Sequence, residues 1–332
     1  MTKIWVTLLL VACAVGCGDP TPPPSPVRAL INHKGTSDVN DVLFIDNQEK
    51  VLVVEGESFI TYQLDGQVAM KSDPIDNSFD NWLQYASYSQ KDARAFIGRI
   101  ENGVLCFDFR TKSFIADTNL RGSHFCYAIP DSDEYITLQN DNVLTRADRQ
   151  TGGVIWSIKT RVNTTYCAHS FASDLLALGE HSENGTGRVV LYNVVDGGRQ
   201  PTGLVHGQNV RGVAFSADNS VLVSTGDDRH LRVLDLKDQA IVWEQKNDVD
   251  GAFAVAVHPN NDYIAVGCMR GIKIWSLNER RLVSSWNGHS WFVRCIRFSP
   301  DGRYLISGSA DDTAALWAVD DLIGKLEYVK RF

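Results

Sequence analysis

The sequence predicts an all-β fold, and three observations agree on it. Short runs rich in Val, Ile, Tyr and Phe alternate apolar and polar side chains, which is the pattern of half-buried strands. Turn sequences such as PDG, ADN, PNND and ENG separate these runs. The third observation is a repeat, because GHSWFVRCIRFSPDGRYLISGSADDTAALW (288–317) has the same order of parts as VHGQNVRGVAFSADNSVLVSTGDDRHLRVLDL (205–236).

Weaker copies of the same template occupy residues 42–64, 85–109, 127–148, 167–194 and 255–277. One position near the end of the copies is held in turn by Tyr62, Phe107, Ala147, Tyr192, Leu234, Trp275 and Trp317, with spacings of 45, 40, 45, 42, 41 and 42 residues. Such a period indicates a repeat architecture. A sheet of three or four strands cannot bury both of its faces, whereas sheets packed radially can. The predicted fold is therefore a seven-bladed β-propeller of four-stranded antiparallel blades.

Composition and charge exclude some partners. The chain has 332 residues, of which 44% are hydrophobic and 22% charged, as in ordinary globular proteins. Its formal net charge of -8 argues against nucleic acid, since binding to phosphate backbones depends mainly on Lys and Arg.

The first 17 residues are predicted to be an export signal. A basic start at Met1–Lys3 precedes the apolar run Ile4–Ala12, which is too short to span a bilayer. LVAC and AVGC resemble the bacterial lipobox, in which a Cys after small residues is lipidated. Cys13 matches that pattern more closely, but Cys17 directly precedes the proline-rich residues 18–26, which predict an extended tether. The choice between the two cysteines stays open, and residues 27–332 are assigned to the propeller.

Cysteines in the body of the chain are predicted to be buried thiols. Their odd number leaves at least one unpaired, and no CxxC or Cys/His spacing typical of a metal site is present. They are Cys106, Cys126, Cys167, Cys268 and Cys295.

The repeats resemble those of WD-repeat propellers, strongly in the last three copies and weakly in the first three. In that family a His, a Ser or Thr, an Asp and a Trp form a hydrogen-bonded structural tetrad in a blade. The resemblance implies two such sets: His289, Ser307, Asp311 and Trp317 in the last copy, and His206, Ser224 and Asp228, with Leu234 in place of Trp, in the fifth.

Some features resemble a different family. ADRQTGGVIWSIKT (147–160) resembles the TG-then-Trp signature of quinoprotein-like propellers, and AIVWEQK near Trp243 echoes it. These propellers include the lipoprotein of the outer-membrane barrel-assembly machinery, which makes that group the alternative family.

Propellers usually close with both chain ends in one blade. Val27–Ile31 or Leu326–Arg331 could supply the outer strand of the last blade. We favour the N-terminal segment, because apolar residues followed by a His also precede the later blades.

The sequence gives little support for catalysis. GxSxG, HExxH and a glycine-rich phosphate loop are missing, so we expect no enzyme activity, no cofactor and no metal. Asp131, Asp133 and Glu134 lack the ligand spacing of a calcium loop. The turn GEHSENGTG, with His181, Glu183 and Asn184, is a weaker functional candidate.

Protein binding is the better prospect. In WD-repeat propellers, partners usually dock on the face formed by the loops before the first strands and between the second and third. The resemblance implies that this face carries Trp291, Phe292, Arg294, Asn209, Arg211 and Trp82. Exposed Trp and Arg are common interface anchors.

The sequence therefore predicts a non-enzymatic, monomeric propeller that is lipid-anchored in a bacterial cell envelope and binds other proteins or peptides. The alternative is a quinoprotein-like or barrel-assembly-type lipoprotein, with a role in outer-membrane protein assembly or in cofactor binding.

Overall fold

The computed structural model describes residues 31–35, 37–73, 83–99, 104–115, 123–129, 132–139, 141–161, 166–170, 173–182, 184–246 and 251–323. Strands β1 to β28 run through these residues, and one short helical turn lies at residues 319–323. The prediction of an all-β, seven-bladed propeller is confirmed. The signal, both candidate lipidation sites Cys13 and Cys17, and the tether lie outside the described residues.

Blades 1 to 4 follow one another along the chain, each with four antiparallel strands. Blade 1 contains β2 (Val39–Ile45), β3 (Lys50–Glu55), β4 (Phe59–Gln63) and β5 (Val68–Lys71). Blade 2 contains β6 (Leu83–Ser89), β7 (Arg94–Arg99), β8 (Val104–Asp108) and β9 (Ser113–Ile115). Blade 3 contains β10 (Ser123–Ala128), β11 (Glu134–Gln139), β12 (Val143–Asp148) and β13 (Val154–Lys159). Blade 4 contains β14 (Tyr166–Ser170), β15 (Leu175–His181), β16 (Gly187–Asn193) and β17 (Arg199–His206).

Blades 5 to 7 repeat the arrangement. Blade 5 contains β18 (Val210–Phe215), β19 (Val221–Gly226), β20 (His230–Asp235) and β21 (Ala240–Lys246). Blade 6 contains β22 (Ala254–Val257), β23 (Tyr263–Gly267), β24 (Ile272–Ser276) and β25 (Arg281–Trp286). Blade 7 contains β26 (Val293–Phe298), β27 (Tyr304–Ser309), β28 (Thr313–Ala318) and, as its outer strand, β1 (Ile31–Lys34).

The N-terminal strand closes the ring. β1 pairs antiparallel with β28, from Ile31 opposite Leu316 to Lys34 opposite Thr313. This is the closure that the sequence favoured; the described strand is Ile31–Lys34, and residues 27–30 of the predicted segment lie outside the described residues. The other candidate, Leu326–Arg331, lies outside the described residues.

The hydrophobic core is divided among the junctions between blades. Seven clusters of buried residues occur in the described chain, and each combines side chains from two neighbouring blades. Phe59 of blade 1, for example, contacts Phe107 of blade 2 edge to face, with ring centroids 4.8 Å apart. The periodic position found in the sequence lies in the third strand of every blade and is at most 8% exposed at Tyr62, Phe107, Ala147, Tyr192, Leu234, Trp275 and Trp317.

The loops before the first strands and the turns between second and third strands share one side of the ring, called here the upper face; the other turns form the lower face. On the lower face, hydrogen bonds join the first turns of successive blades. Going from blade 5 through blades 6, 7 and 1 to blade 2, these bonds are Ala217 N to Asn261 Oδ1 (3.0 Å), His258 Nε2 to Gly302 O (3.0 Å), Asp301 N to Gln48 Oε1 (3.0 Å) and Asn47 N to Gln90 Oε1 (3.2 Å).

Gly302 shows how closely two of these turns approach. It has φ +75°, and a Cβ atom there would lie 2.6 Å from Nε2 of His258. Glycine is therefore required both by the left-handed backbone and by the space available.

A buried carboxylate ties three blades together near the closure. Asp41 of blade 1 is 1% exposed and accepts hydrogen bonds from the backbone N–H groups of Val42 and Ala86, both at 2.9 Å. Arg297 of blade 7 donates through Nη2 to both carboxylate oxygens at 3.1 Å, and its Nε donates to Val42 O at 2.9 Å. Ala86 belongs to blade 2, so this network spans blades 7, 1 and 2.

We predict that Arg297→Met lowers the free energy of unfolding by about 2 kcal/mol, because Asp41 stays buried without its cationic partner. Urea denaturation followed by tryptophan fluorescence measures this loss. The matched control is Arg303→Met, whose side chain is 79% exposed. Equal denaturation midpoints for the two variants would contradict the proposed role of the Asp41 network.

Candidate protein-docking face

The structure brings the four tetrad residues of blade 7 together. His289 Nε2 lies 2.8 Å from Ser307 Oγ, and Ser307 Oγ accepts a hydrogen bond from Trp317 Nε1 at 3.0 Å. His289 Nδ1 lies 2.9 Å from Thr313 Oγ1 and 3.4 Å from Asp311 Oδ1. Thr313, which sequence reasoning missed, therefore links the His to the Asp. This chain of hydrogen bonds links the second strand, the third strand and the loop before the first strand of the blade into one unit.

Blade 5 has the same arrangement with one substitution. His206 Nδ1 lies 2.8 Å from Asp228 Oδ1, and His206 Nε2 lies 2.8 Å from Ser224 Oγ. Leu234 fills the Trp position and is fully buried. Arg232, two residues earlier, donates to Asp228 Oδ2 at 2.8 Å. Arg232 is thus a fourth polar member that the sequence did not reveal.

Both tetrad carboxylates are held in the ionised form. Burial alone would raise the pKa of Asp228, but hydrogen bonds and charge attraction from His206 and Arg232 lower it well below its ordinary value. Burial opposes ionisation of Asp311 as well, and hydrogen bonds from His289, Thr313 and the Ser290 backbone lower its pKa in the same way. The Ser290 N–H donates to Asp311 Oδ2 at 2.6 Å, so this carboxylate fixes the start of the loop that carries Trp291.

Blade 4 uses a different buried network. Glu180 is 1% exposed and accepts hydrogen bonds from the Tyr192 hydroxyl and from Arg199 Nη2, the latter at 2.8 Å. Burial raises the pKa of Tyr192, and the Glu180 carboxylate raises it further. The sequence marked this region as an enlarged turn, but its first residues end a strand. The sequence signal for this network was a Glu that continues an apolar run.

The weaker polar candidates have structural partners. His181 is 9% exposed, and burial lowers its pKa. Asn184 accepts hydrogen bonds from Ser182 and Thr186 within its own turn. Asp133 pairs with Arg149 at 3.0 Å and Glu134 pairs with Arg146. Asp131 and Glu183 lie outside the described residues.

Cysteine burial agrees with the sequence where it is described. Cys106, Cys126, Cys268 and Cys295 are all buried. For Cys295, burial raises the pKa of the thiol, with a further contribution from Asp41. The side chain of Cys167 lies outside the description. Within the described residues, no group of three or more His, Cys, Asp or Glu side chains could hold a metal ion, and no helix is both long and apolar enough to cross a bilayer.

Aromatic side chains form a row on the upper face. The ring of Trp291 lies 4.8 Å from that of Phe292, and Phe292 lies 4.7 Å from Phe253 of the neighbouring blade 6. Trp291 remains 46% exposed. Trp291 and Phe292 were predicted from the sequence, whereas Phe253 was missed. The sequence signal for Phe253 was its alignment with Arg294 and Arg211. Each of these three residues lies six positions before the Pro or Ala of the turn that follows it.

The predicted arginines lie on the same face in ion pairs. Arg294 pairs with Asp38 of blade 1, and the Arg294 side chain is still 45% exposed. Arg211 donates from Nε to Asp227 Oδ1 at 2.7 Å within blade 5. Asn209 precedes Arg211 in that blade, and its carbonyl accepts from the Asp227 N–H at 2.9 Å. Trp82 lies outside the described residues.

The TG-then-Trp segment lies at a junction between blades. Trp156 donates from Nε1 to Val194 O of blade 4 at 3.0 Å. Trp243, at the related place in blade 5, lies edge to face with Trp275 of blade 6, with centroids 6.0 Å apart. Both residues therefore have a packing role.

Comparison with known proteins matches two segments of the propeller to a family. The WD domain, G-beta repeat model matches residues 199–235 and 280–318. The chain contains WD40 repeats. Each match begins at the start of the outer strand of one blade, or one residue before it, and ends on the third strand of the next, so each matched WD40 repeat spans two blades.

Several curated relatives are similar over part of the chain. Apoptotic protease-activating factor 1 of Rattus norvegicus is 29% identical over 234 residues, which cover 58% of this chain and 18% of that protein. Echinoderm microtubule-associated protein-like 1 of Homo sapiens is 27% identical over 41% of this chain and 17% of its own length. Protein groucho of Drosophila melanogaster is 30% identical over 32% of this chain and 15% of its length. The matches thus span less than a fifth of these relatives.

The tetrad carboxylates predict a pH-dependent effect for Asp228→Asn. Folding lowers the pKa of Asp228. The contribution of its carboxylate to the free energy of unfolding is therefore fully present above the ordinary Asp range near pH 4 and is lost as the pH falls further. We expect the variant to be about 2 kcal/mol less stable at pH 7. The difference from the unmodified protein should shrink below about pH 4.

Urea denaturation at a series of pH values from 7 to 3 checks this. Asp238→Asn, an exposed position in the same blade, is the control and should change stability little at any pH. A difference for Asp228→Asn that stays constant over the whole series would contradict the assignment.

Proposed function

We propose that this protein is a non-enzymatic scaffold that binds partner proteins or peptides on its upper face, around Trp291. One observation carries the proposal. Ten large hydrophobic side chains are exposed in the described chain, and Trp291 is the one among them that belongs to an upper-face loop. The others lie on outer strands or in a lower-face turn. A half-exposed Trp next to packed aromatic rings has the character of an interface anchor.

The comparisons support protein binding at a coarse level. One relative is named as a microtubule-associated protein-like protein, and another, 38% identical over 21% of this chain, as a DDB1- and CUL4-associated factor. Association with other proteins is therefore the kind of function that we transfer to this chain. The partners of those proteins are not transferred.

We propose further that the N-terminal segment anchors the protein to a bacterial cell envelope through a lipid on Cys13 or Cys17. The basic, apolar and small-residue order of the first 17 residues motivates this proposal. The geometry of β1 is compatible with it. Ile31 pairs with Leu316 toward the lower face, while Lys34 pairs with Thr313 beside the upper-face turn. β1 thus runs from the lower face toward the upper face that carries Trp291.

We predict that Trp291→Ala loses at least one specific partner in pull-downs from membranes, because truncation of an interface Trp removes a large apolar contact. Quantitative mass spectrometry of proteins bound to the purified full chain measures the loss. Leu282→Ala is the matched control, since Leu282 is 39% exposed but lies on an outer strand. If the Trp291 variant retained every partner that the control retains, the proposed face would be wrong.

Lipid anchoring predicts that the mature protein lacks its first residues and carries fatty acid on its new N-terminal Cys. Mass spectrometry of the purified protein checks both features. Cys13→Ser and Cys17→Ser identify the acceptor, since one of them should abolish labelling by an alkyne fatty acid. A mature chain that retains Met1 and has no lipid would refute the anchor while leaving the docking proposal intact.

A further inference from the structure

The upper-face turn of blade 4 exposes an Asn-Gly pair that the proposed docking function does not use. Asn184 and Gly185 are both exposed at the tip between β15 and β16. A Cβ atom on Gly185, which has φ +81°, would meet nothing within 4 Å. Exposed tips of this kind open locally at little cost in free energy.

Hydrogen bonds within the turn orient the Asn184 side chain. The Thr186 hydroxyl donates to Asn184 Oδ1 at 3.0 Å, and the Thr186 backbone N–H donates to the same oxygen at 3.4 Å. The Ser182 hydroxyl donates to it as well. These donors polarise the side-chain carbonyl and stabilise negative charge that develops on Oδ1, which makes Asn184 Cγ more open to attack by a nucleophile.

The backbone nitrogen of Gly185 is the nucleophile that lies nearest in the chain. When it attacks Asn184 Cγ, a new C–N bond forms and the bond from Cγ to Nδ2 breaks. The Gly185 amide proton leaves with the Nδ2 group as ammonia, and a cyclic imide remains. Water then opens the imide to aspartate or isoaspartate. Glycine after the Asn favours this ring, because it has no side chain to hinder the approach.

One local hydrogen bond opposes the reaction. The Gly185 N–H donates to Ser182 O at 2.9 Å, so the tip must open before the nitrogen can attack. The strands next to the tip are held independently of it. Gly187, the first residue of β16, lies so close to blade 5 that a Cβ atom there would be 2.6 Å from Gln208 O. The tip can therefore open while β15 and β16 stay in place.

A second Asn-Gly pair has the opposite surroundings. Asn287 is exposed as well, but Gly288 packs against blade 7, where a Cβ atom would lie 2.8 Å from Trp317 Cη2. The next residue, His289, is buried in the tetrad. Ring closure at this pair would pull Gly288 away from the Trp317 indole and displace His289. The third pair of the sequence, Asn102–Gly103, lies outside the described residues.

We propose that Asn184 is a site of spontaneous covalent modification, converted to aspartate or isoaspartate by attack of the Gly185 nitrogen, and that the fold protects Asn287 from the same reaction. The product adds a negative charge to the upper face at blade 4. Isoaspartate also lengthens the backbone of the turn by one methylene group. The modification is independent of Trp291 and of the docking proposal.

Incubation of the purified full chain at physiological temperature and pH, followed by proteolysis and mass spectrometry, measures the change from amide to carboxylate at each pair. We expect Asn184 to be modified roughly tenfold faster than Asn287, since a small difference in the free energy of local opening gives that factor. An enzyme that methylates isoaspartate identifies that product. An unmodified Asn184, or equal rates at the two pairs, would overturn the inference.

The same measurement in concentrated urea is the control for the intrinsic reactivity of the two pairs. Unfolding removes both the turn around Asn184 and the contact of Gly288 with Trp317, so the two rates should then agree within about twofold. A difference in urea as large as that in the native protein would show that neighbouring residues set the selectivity, and would refute protection by the fold.

A matched pair of variants assigns the added charge. During incubation, Asn184→Gln should accumulate less of the acidic form in anion-exchange chromatography than Asn287→Gln does, because Gln at 184 cannot close the same ring. The urea midpoint of each variant verifies folding. Equal accumulation of the acidic form in the two variants would contradict a reactive Asn184.

Discussion

The packing of one blade against the next is the interaction on which the whole structure depends. Every hydrophobic cluster in the described chain is shared by two neighbouring blades, and Trp243 on Trp275 and Phe59 on Phe107 are contacts of this kind. A blade has no core of its own, so its stability comes mainly from the interfaces with its neighbours. The consequence is that a ring missing one interface exposes two apolar sheet faces, and closure is a condition for the fold.

Closure joins residues that are far apart in the chain, which explains why polar contacts concentrate there. Bringing such ends together has an entropic cost that sequential blades do not have. At this junction β1 adds its backbone hydrogen bonds to β28, Asp41 binds Arg297 across 256 positions, and Asp301 binds Gln48 across 253. Gly308 of blade 7 also lies so close to blade 1 that a Cβ atom would be 2.5 Å from Val39 Cγ1. Hydrogen bonds depend on distance and angle more strictly than apolar contacts, so they help to select the correct register.

The sequence predicted the features that all blades share, and it missed the contacts that occur only at one place in the packed structure. The period gave the seven buried third-strand positions from Tyr62 to Trp317, because their burial follows from strand alternation within a blade. Arg232, Glu180 and Asp41 escaped prediction, since each is stabilised by a partner whose proximity depends on the packed geometry. Trp156 resembled a family signature, but its indole N–H binds a carbonyl of the next blade, a contact that a linear motif does not describe. Phe253 was missed for a related reason, because it joins Phe292 only across a blade boundary.

The same tetrad that stabilises blade 7 also determines how Trp291 is presented. Asp311 accepts from the Ser290 N–H, and Asp311 is itself held by His289 and Thr313, so the loop starts from a fixed point inside the blade. Phe292 then packs on Phe253, which leaves the indole of Trp291 as the exposed end of a rigid row. An anchor that is already ordered loses little conformational entropy on binding, so more of its apolar contact appears as affinity. The structural tetrad and the proposed docking surface therefore belong to one network, which Asp311 joins through its bonds to Ser290 and Thr313.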